Sequence, residues 1–213
     1  MLKFNRRNFA FYTPADYNPN FVKNIQAQSQ IRNADKDFRF AVVGSGPAGF
    51  YMSKMLLMSV PKCRVDIFDQ NPHPYGLIRT GVCPDHMGMK KIERDFNQVF
   101  EHNPGRCEFI GNVRLGRDIY LKDLQQNYSA TILAIGTSTD KEVGLKGEYE
   151  HIIPARRVFN WYNSSLEDDI DLSHEFNLTN TRDIAIIGNG NIFCDMTRVL
   201  LRNPKDFSNT DMH

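Results

Sequence analysis

Residues 38–69 read FRFAVVGSGPAGFYMSKMLLMSVPKCRVDIFD, and this stretch decides the fold. Phe38 to Val43 is a short apolar run of strand character that ends in a glycine turn. Pro47 to Val60 carries apolar residues at helical spacing, with proline where a first helical turn tolerates it. Arg64 to Asp69 reads as a second strand. Strand, turn, helix and strand together make a βαβ unit of roughly 30 residues, the size a dinucleotide fingerprint requires. Gly44 allows the tight turn, Gly46 lets the backbone approach a pyrophosphate, and Gly49 lets the helix pack on the strand. Asp69, placed 20 residues beyond Gly49, ends the second strand where a carboxylate can accept hydrogen bonds from a ribose.

The strand and helix alternation continues outward from this unit. Asn71 to His86 is rich in glycine and proline, and a loop of that length is expected to line a ligand. Lys90 to His102 reads as a helix, Glu108 to Val113 as a strand, Leu121 to Tyr128 as a short helix and Ala130 to Ile135 as a buried strand. A second glycine turn, Gly188-Asn189-Gly190-Asn191, follows an apolar run near the end of the sequence and opens another helix. Two anion cradles of this kind imply two nucleotides.

Bulk properties exclude several classes. The 213 residues carry 41% hydrophobic side chains, 24% charged side chains and a net charge of +1, the balance of a soluble globular chain and not of one whose main partner is nucleic acid. No apolar run approaches the roughly 18 residues needed to span a bilayer. Cys63, Cys83, Cys107 and Cys194 lie far apart with no CxxC pair, so free thiols are expected and no metal site. Residues 1–37 differ in texture. Lys3, Arg6 and Arg7 sit among Phe4, Phe9, Phe11 and Tyr12 with no acid before Asp16, the composition of an organelle transit segment. Such an arm meets a partner surface or lies along its own domain.

Several longer motifs resemble the mitochondrial ferredoxin-NADP reductase (adrenodoxin reductase) family. They are VVGSGPAGFY from Val42 to Tyr51, YGLIRTGVCPDH from Tyr75 to His86, GRCEFIGNVRLGRD from Gly105 to Asp118, and GNGNIFCDMTRVLL from Gly188 to Leu201. The resemblance runs from about Phe38 onward. It implies an FAD-binding Rossmann-like domain over 38–140 and the start of a second, NADP-binding Rossmann-like domain over 141–213, with the family's C-terminal half missing and 1–37 as an N-terminal arm. By the same resemblance, Gly44, Gly46, Ala48, Gly49, Asp69, Leu77 and Val113 contact FAD. Asn189, Gly190, Asn191 and Ile192 line the NADP pyrophosphate. Chemistry in such enzymes resides in the flavin, which takes a hydride from NADPH and releases electrons singly to a ferredoxin, so no side chain is expected to act as acid or nucleophile.

Departures from the family pattern shape the functional expectation. Asp69 stands where the family usually has Glu. Phe193 occupies the third small position of the second fingerprint and is expected to hold helix and strand apart, or the helix from the pyrophosphate. Two readings follow. One is the FAD-binding part of an NADPH-to-ferredoxin electron-transfer flavoprotein of the mitochondrial matrix that needs a second chain; the other is a non-catalytic structural subunit of a large mitochondrial assembly derived from such a reductase. A third reading treats the sequence as a fragment of an ordinary enzyme.

Overall fold

The structure is a computed structural model that describes residues 9–11, 38–60, 62–137, 139–140, 142–146, 148, 152–163, 172 and 181–210. It divides into two compact units, Met1–Ile78 with Lys91–Gly136, and Arg79–Lys90 with Thr137–His213. Each is described by itself.

The first unit is built on five parallel strands: β1 (Phe9–Phe11), β2 (Arg39–Val43), β3 (Arg64–Phe68), β4 (Cys107–Gly111) and β5 (Ala130–Leu133), in the spatial order β1-β4-β3-β2-β5. Parallel neighbours need crossovers, and these are supplied by α1 (Pro47–Ser59), α4 (Ile92–Glu101) and α5 (Leu121–Asn127). A short helix, α2 (Leu77–Thr80), interrupts the stretch expected to be loop, and another, α3 (Met87–Lys90), begins just after it. Within the arm, Phe9–Phe11 adds an edge strand to β4 with Phe9 opposite Phe109, so this piece lies along its own domain. The rest of the transit-like segment, 1–8 and 12–37, lies outside the described residues.

Alternation along the strands sorts the core into two layers. Val42, Ile67 and Phe109 are register partners or neighbours on one face, and Val42 also meets α1 beside Gly49. Above them Phe50 of α1 stacks on Phe96 of α4 with centroids 4.6 Å apart and meets Phe100 edge-on at 5.5 Å. On the other face Ala41, Val43, Phe68 and Ile110 form one buried cluster with Leu124 and Tyr128. That face also buries a charge. Arg39 Nε donates to Asp66 Oδ2 at 2.8 Å, the Tyr128 hydroxyl donates to the same oxygen at 2.7 Å, and the guanidinium lies 4.9 Å from the Tyr128 ring centroid. Burial, reinforced by the Asp66 charge, pushes the Tyr128 hydroxyl pKa far above its ordinary value. A buried carboxylate survives here because the Arg39 guanidinium and the Tyr128 hydroxyl both donate to it.

The second unit holds α6 (Ala155–Tyr162), α7 (Asn191–Leu201) and a 3-10 turn, Pro204–Phe207. Val158, Phe159, Tyr162, Leu172 and Met196 form its core, with Ile153, Ile186 and Leu200 packed against them. The helix expected after the second glycine turn is present. The strand expected before it is not: residues 181–189 join no ladder among the described residues. Apolar sequence alone cannot make a sheet, because the ladder needs a hydrogen-bonded neighbour that the run does not itself supply.

Candidate functional site

The strand order reverses direction at β2: successive strands step to one side through β3 and β4, then β5 returns to the other side. The crevice beyond the carboxyl ends of the strands at such a switch point is where open α/β sheets bind ligands. The first glycine turn lies there. Gly44 donates its amide to the Phe68 carbonyl at 2.7 Å and adopts φ +105°, and a Cβ on it would fall 2.1 Å from the Ala134 carbonyl oxygen. A Cβ on Gly49 would fall 2.0 Å from the Gly44 carbonyl oxygen. Both glycines are therefore demanded by the packing of the protein against itself.

Gly46 differs. Its φ of −75° suits any residue, and a Cβ there would meet nothing within 4 Å. The fold gives no reason of its own for glycine at this position; a ligand lying over the turn gives one. The α1 N-terminus behind it has no side-chain cap hydrogen bond and no acid in its first turn. Its leading amides, including that of the exposed Ala48, remain for an anion, and the helix dipole favours one. The residues present thus fit a pyrophosphate at the middle of the turn.

Asp69 closes the side of this cradle. Its Oδ2 accepts from the Ser45 amide at 2.7 Å and the Ser45 hydroxyl at 2.6 Å, while Oδ1 accepts from the Asn71 amide at 2.9 Å. The carboxylate is nearly buried and turned toward the glycine turn. Val113 donates its amide to the Asp69 carbonyl at 2.8 Å, which fixes it beside the acid, although its side chain belongs to the apolar cluster. The following loop is pinned to the same place. Tyr75, fully buried at φ +91°, donates its amide to the Ser45 carbonyl at 2.9 Å, and a Cβ on Gly76 would reach Gly46 Cα at 3.0 Å. Leu77 follows directly and is 55% exposed. Gly44, Gly46, Ala48, Gly49, Asp69, Leu77 and Val113 are thus gathered around one turn. Ser45 and Tyr75 join them. Tyr75 carries no sequence signal for a left-handed backbone, and Ser45 sat unread between two glycines.

The second turn shares part of this design. Gly188 has φ +137°, whereas Gly190 has φ −84° and nothing within 4 Å of an added Cβ. The α7 N-terminus is likewise uncapped, with no acid in its first turn. Asn189, Gly190, Asn191 and Ile192 are all exposed. Phe193 is half-buried and points its ring to a cavity of about 920 Å³ shared with Ile184, Ile186 and Met196.

Charge in the second unit gathers under α7. Arg198 grips Asp85 with two hydrogen bonds, Nε to Oδ2 at 2.6 Å and Nη2 to Oδ1 at 2.8 Å; Arg202 Nη1 adds a third at 2.8 Å. These partners, Arg198 first, hold the Asp85 carboxyl far below the usual carboxylate range. Arg198 also meets Asp195 at 2.8 Å, and His86 Nδ1 lies 3.5 Å from that same carboxylate. Burial, then the neighbouring Asp85, pushes the Cys83 thiol up to about 11, so it is not a nucleophile at neutral pH. Among the described residues no group of acids, histidines and cysteines has the makings of a metal site, and no helix is long and apolar enough to cross a membrane.

No family model matches the chain. It is 40% identical over 173 residues to a protein of Schizosaccharomyces pombe named probable NADPH:adrenodoxin oxidoreductase, mitochondrial, covering 81% of this chain and 36% of that one. It is 35% identical over 200 residues to the human NADPH:adrenodoxin oxidoreductase, covering 93% of this chain and 38% of the relative. Among solved structures, Mycobacterium tuberculosis FprA in complex with NADPH superposes with a TM-score of 0.72 at 30% identity, covering 83% of this chain and 39% of that one. The chain therefore spans somewhat over a third of the length of the relatives it matches.

Proposed function

Since the chain belongs by sequence to the NADPH:adrenodoxin oxidoreductase family, we propose that it is the FAD-binding part of an NADPH-to-ferredoxin electron-transfer flavoprotein of the mitochondrial matrix. The observation that carries the reading is Gly46: a glycine the fold does not need, in open space, in front of an uncapped helix. In this reading the Gly44-Ser45-Gly46 turn and the amides of Ala48 and Gly49 would hold the FAD pyrophosphate. Asp69, held by Ser45, presents its remaining lone pairs to the adenosine ribose. Leu77 and Val113 flank the cofactor. Asn189, Gly190, Asn191 and Ile192 receive the NADP pyrophosphate on the second uncapped helix.

Bound FAD supplies the redox chemistry, accepting a hydride as an electron pair and passing electrons on singly to a ferredoxin. The chain's own residues bind and orient. The nicotinamide substrate, the adrenodoxin partner and the mitochondrial address are those named for the relatives.

Phe193 favours a second reading. A phenyl ring at the third small position of the second glycine turn suits a non-catalytic subunit of a larger mitochondrial assembly, one that keeps FAD as a structural ligand and takes no hydride.

One experiment tests both. The purified chain is mixed with FAD, passed through a desalting column and examined for a flavin absorption band, then titrated anaerobically with NADPH. A retained band supports the FAD site, and its loss on the column removes it. Bleaching by NADPH supports electron transfer; a band that stays oxidised leaves the structural reading.

A further inference from the structure

We propose that Tyr75 is the positioning residue of the first glycine turn: its side chain, tied to α4 through Asn97, holds a strained backbone bend that seats the segment from Tyr75 to Leu77 against Ser45 and Gly46. This role rests on the reading of that turn as the FAD pyrophosphate site, and it names the group that sets the shape of the site.

The bend is costly for a tyrosine. Tyr75 has φ +91°, and Gly76 follows at φ +51°. Glycine takes such a backbone freely, whereas a bulky side chain there persists only where its surroundings over-determine it, and positions of this kind cluster at ligand clamps. The surroundings are specific. The Tyr75 ring is fully buried, with its centroid 5.4 Å from that of Phe50 on α1 and 6.2 Å from that of Phe96 on α4. Its hydroxyl donates to Asn97 Oδ1, on α4 as well. One side chain therefore leans on the helix that starts at the glycine turn and is hydrogen-bonded to the helix beside it.

The backbone of the same residue acts on the turn. Its amide donates to the Ser45 carbonyl at 2.9 Å, and its carbonyl accepts from the Ile78 amide at 3.1 Å in the first turn of α2. Gly76 is brought so close to Gly46 that a Cβ on it would lie 3.0 Å from the Gly46 Cα. Ser45 in turn holds Asp69 through its own amide and hydroxyl. A phenylalanine at 75 would fill the same space between the same rings, so packing alone does not call for the hydroxyl. Burial is non-directional, whereas a hydrogen bond fixes how deep the ring sits and which way the bend above it faces. A loop fixed in this way binds without first having to be ordered, which raises affinity.

The test measures the Kd for FAD by flavin fluorescence titration, together with amide exchange at residues 75 and 78. It compares the full chain with Tyr75→Phe, Asn97→Ala, the double variant and Tyr75→Gly. Tyr75→Phe and Asn97→Ala are each expected to raise the Kd about 10-fold, the worth of one hydrogen bond, and to speed exchange of the Tyr75 amide by a similar factor. The double variant is expected to bind no more weakly than either single one, since all three remove the same bond. Tyr75→Gly suits the bend but forfeits both ring and hydroxyl, and is expected to show the largest loss of the set. A role in folding alone would lower the unfolding midpoint and leave the Kd of the folded chain where it was. Three results overturn the positioning role: an unchanged Kd in Tyr75→Phe or Asn97→Ala, losses that simply add in the double variant, or a Tyr75→Gly chain that binds FAD like the parent. A parent chain that binds no FAD removes the pyrophosphate reading instead. Exchange at the Tyr75 amide then decides by itself whether the hydroxyl seats the bend, and an equal rate in the parent and Tyr75→Phe chains would show that it does not.

Discussion

Ser45 gives both its amide and its hydroxyl to one oxygen of Asp69, at 2.7 and 2.6 Å. The acid at the end of β3 is thereby a strut of the glycine turn as well as a candidate ribose acceptor. Aspartate is one methylene shorter than glutamate, and its reach brings the carboxylate to the turn itself. Hydrogen bonds to an ionised carboxylate contribute about 1.5–3 kcal/mol each. Ser45→Ala removes one of the two and is expected to lower the stability of the first unit by about 2 kcal/mol and to weaken FAD binding. Denaturant unfolding and flavin fluorescence titration measure the two effects separately. Unchanged FAD affinity in a destabilised Ser45→Ala chain would show that the strut serves folding alone.

The three glycines of the first turn separate fold from ligand. Gly44→Ala forces a methyl into the Ala134 carbonyl at φ +105°, and Gly49→Ala forces one into the Gly44 carbonyl. Gly44→Ala is expected to destabilise the unit by about 1–3 kcal/mol or more, the usual cost of a strained backbone position before any clash is added, and Gly49→Ala by about 1–3 kcal/mol through overpacking alone. Gly46→Ala meets no atom and keeps an ordinary φ. It should melt within about 0.5 kcal/mol of the parent, since surface changes away from packed features cost little. It should nonetheless lose FAD. An alanine at 46 that retains full FAD affinity would sink the pyrophosphate assignment.

Much of this was legible beforehand, for identifiable reasons. The β2–α1–β3 unit announced itself because period and punctuation agreed: an apolar run, a glycine turn, proline at the first helical position, a second apolar run. Strand ends moved by only a residue or two, as at β3, which ends at Phe68 and not Asp69. The Ile184–Ile187 run carries an equally good strand signal and forms no ladder among the described residues, since hydrogen-bonded partners are not a property of the segment itself. Helix α2 hid in a stretch whose prolines and glycines promised loop. The Asp85 pairing with Arg198 spans 113 positions and has no local signature. Phe9–Phe11 was read by composition as an arm, and pairing with β4 depends on an edge that no composition reveals.

Asp66 is held by Arg39 and Tyr128 on the α5 face, and the pattern of donors predicts unequal costs. Tyr128→Phe removes one donor and leaves the ion pair, at about 1–2 kcal/mol. Asp66→Ala strands a buried guanidinium and should cost about 3–5 kcal/mol, the range for breaking a buried pair from one side. Replacing Arg39 and Asp66 together by Met and Leu should recover part of that loss. Urea unfolding of the four chains checks the order. A double variant less stable than Asp66→Ala would show that the network contributes more than mutual neutralisation.

Asp85 supplies the pH dependence of the second unit. Its carboxyl is held far below the ordinary value by Arg198 first and then by its other donors, against an unfolded value of about 3.9. A group with a depressed folded pKa contributes stability that is fully present above the unfolded value. That contribution is lost as pH falls from the unfolded value toward the folded one, because the unfolded chain binds the proton first. Between pH 7 and 5 the contribution should be flat, and below about pH 4 the second unit should loosen progressively. Asp85→Asn keeps the shape but removes the charge, so the variant starts less stable at pH 7 and shows a shallower decline in acid. Amide exchange along α7, followed from pH 7 to 3 with correction for the intrinsic rate, reads this without requiring the two units to unfold together. An identical acid profile in the parent and Asp85→Asn chains would mean that some other carboxylate governs the transition.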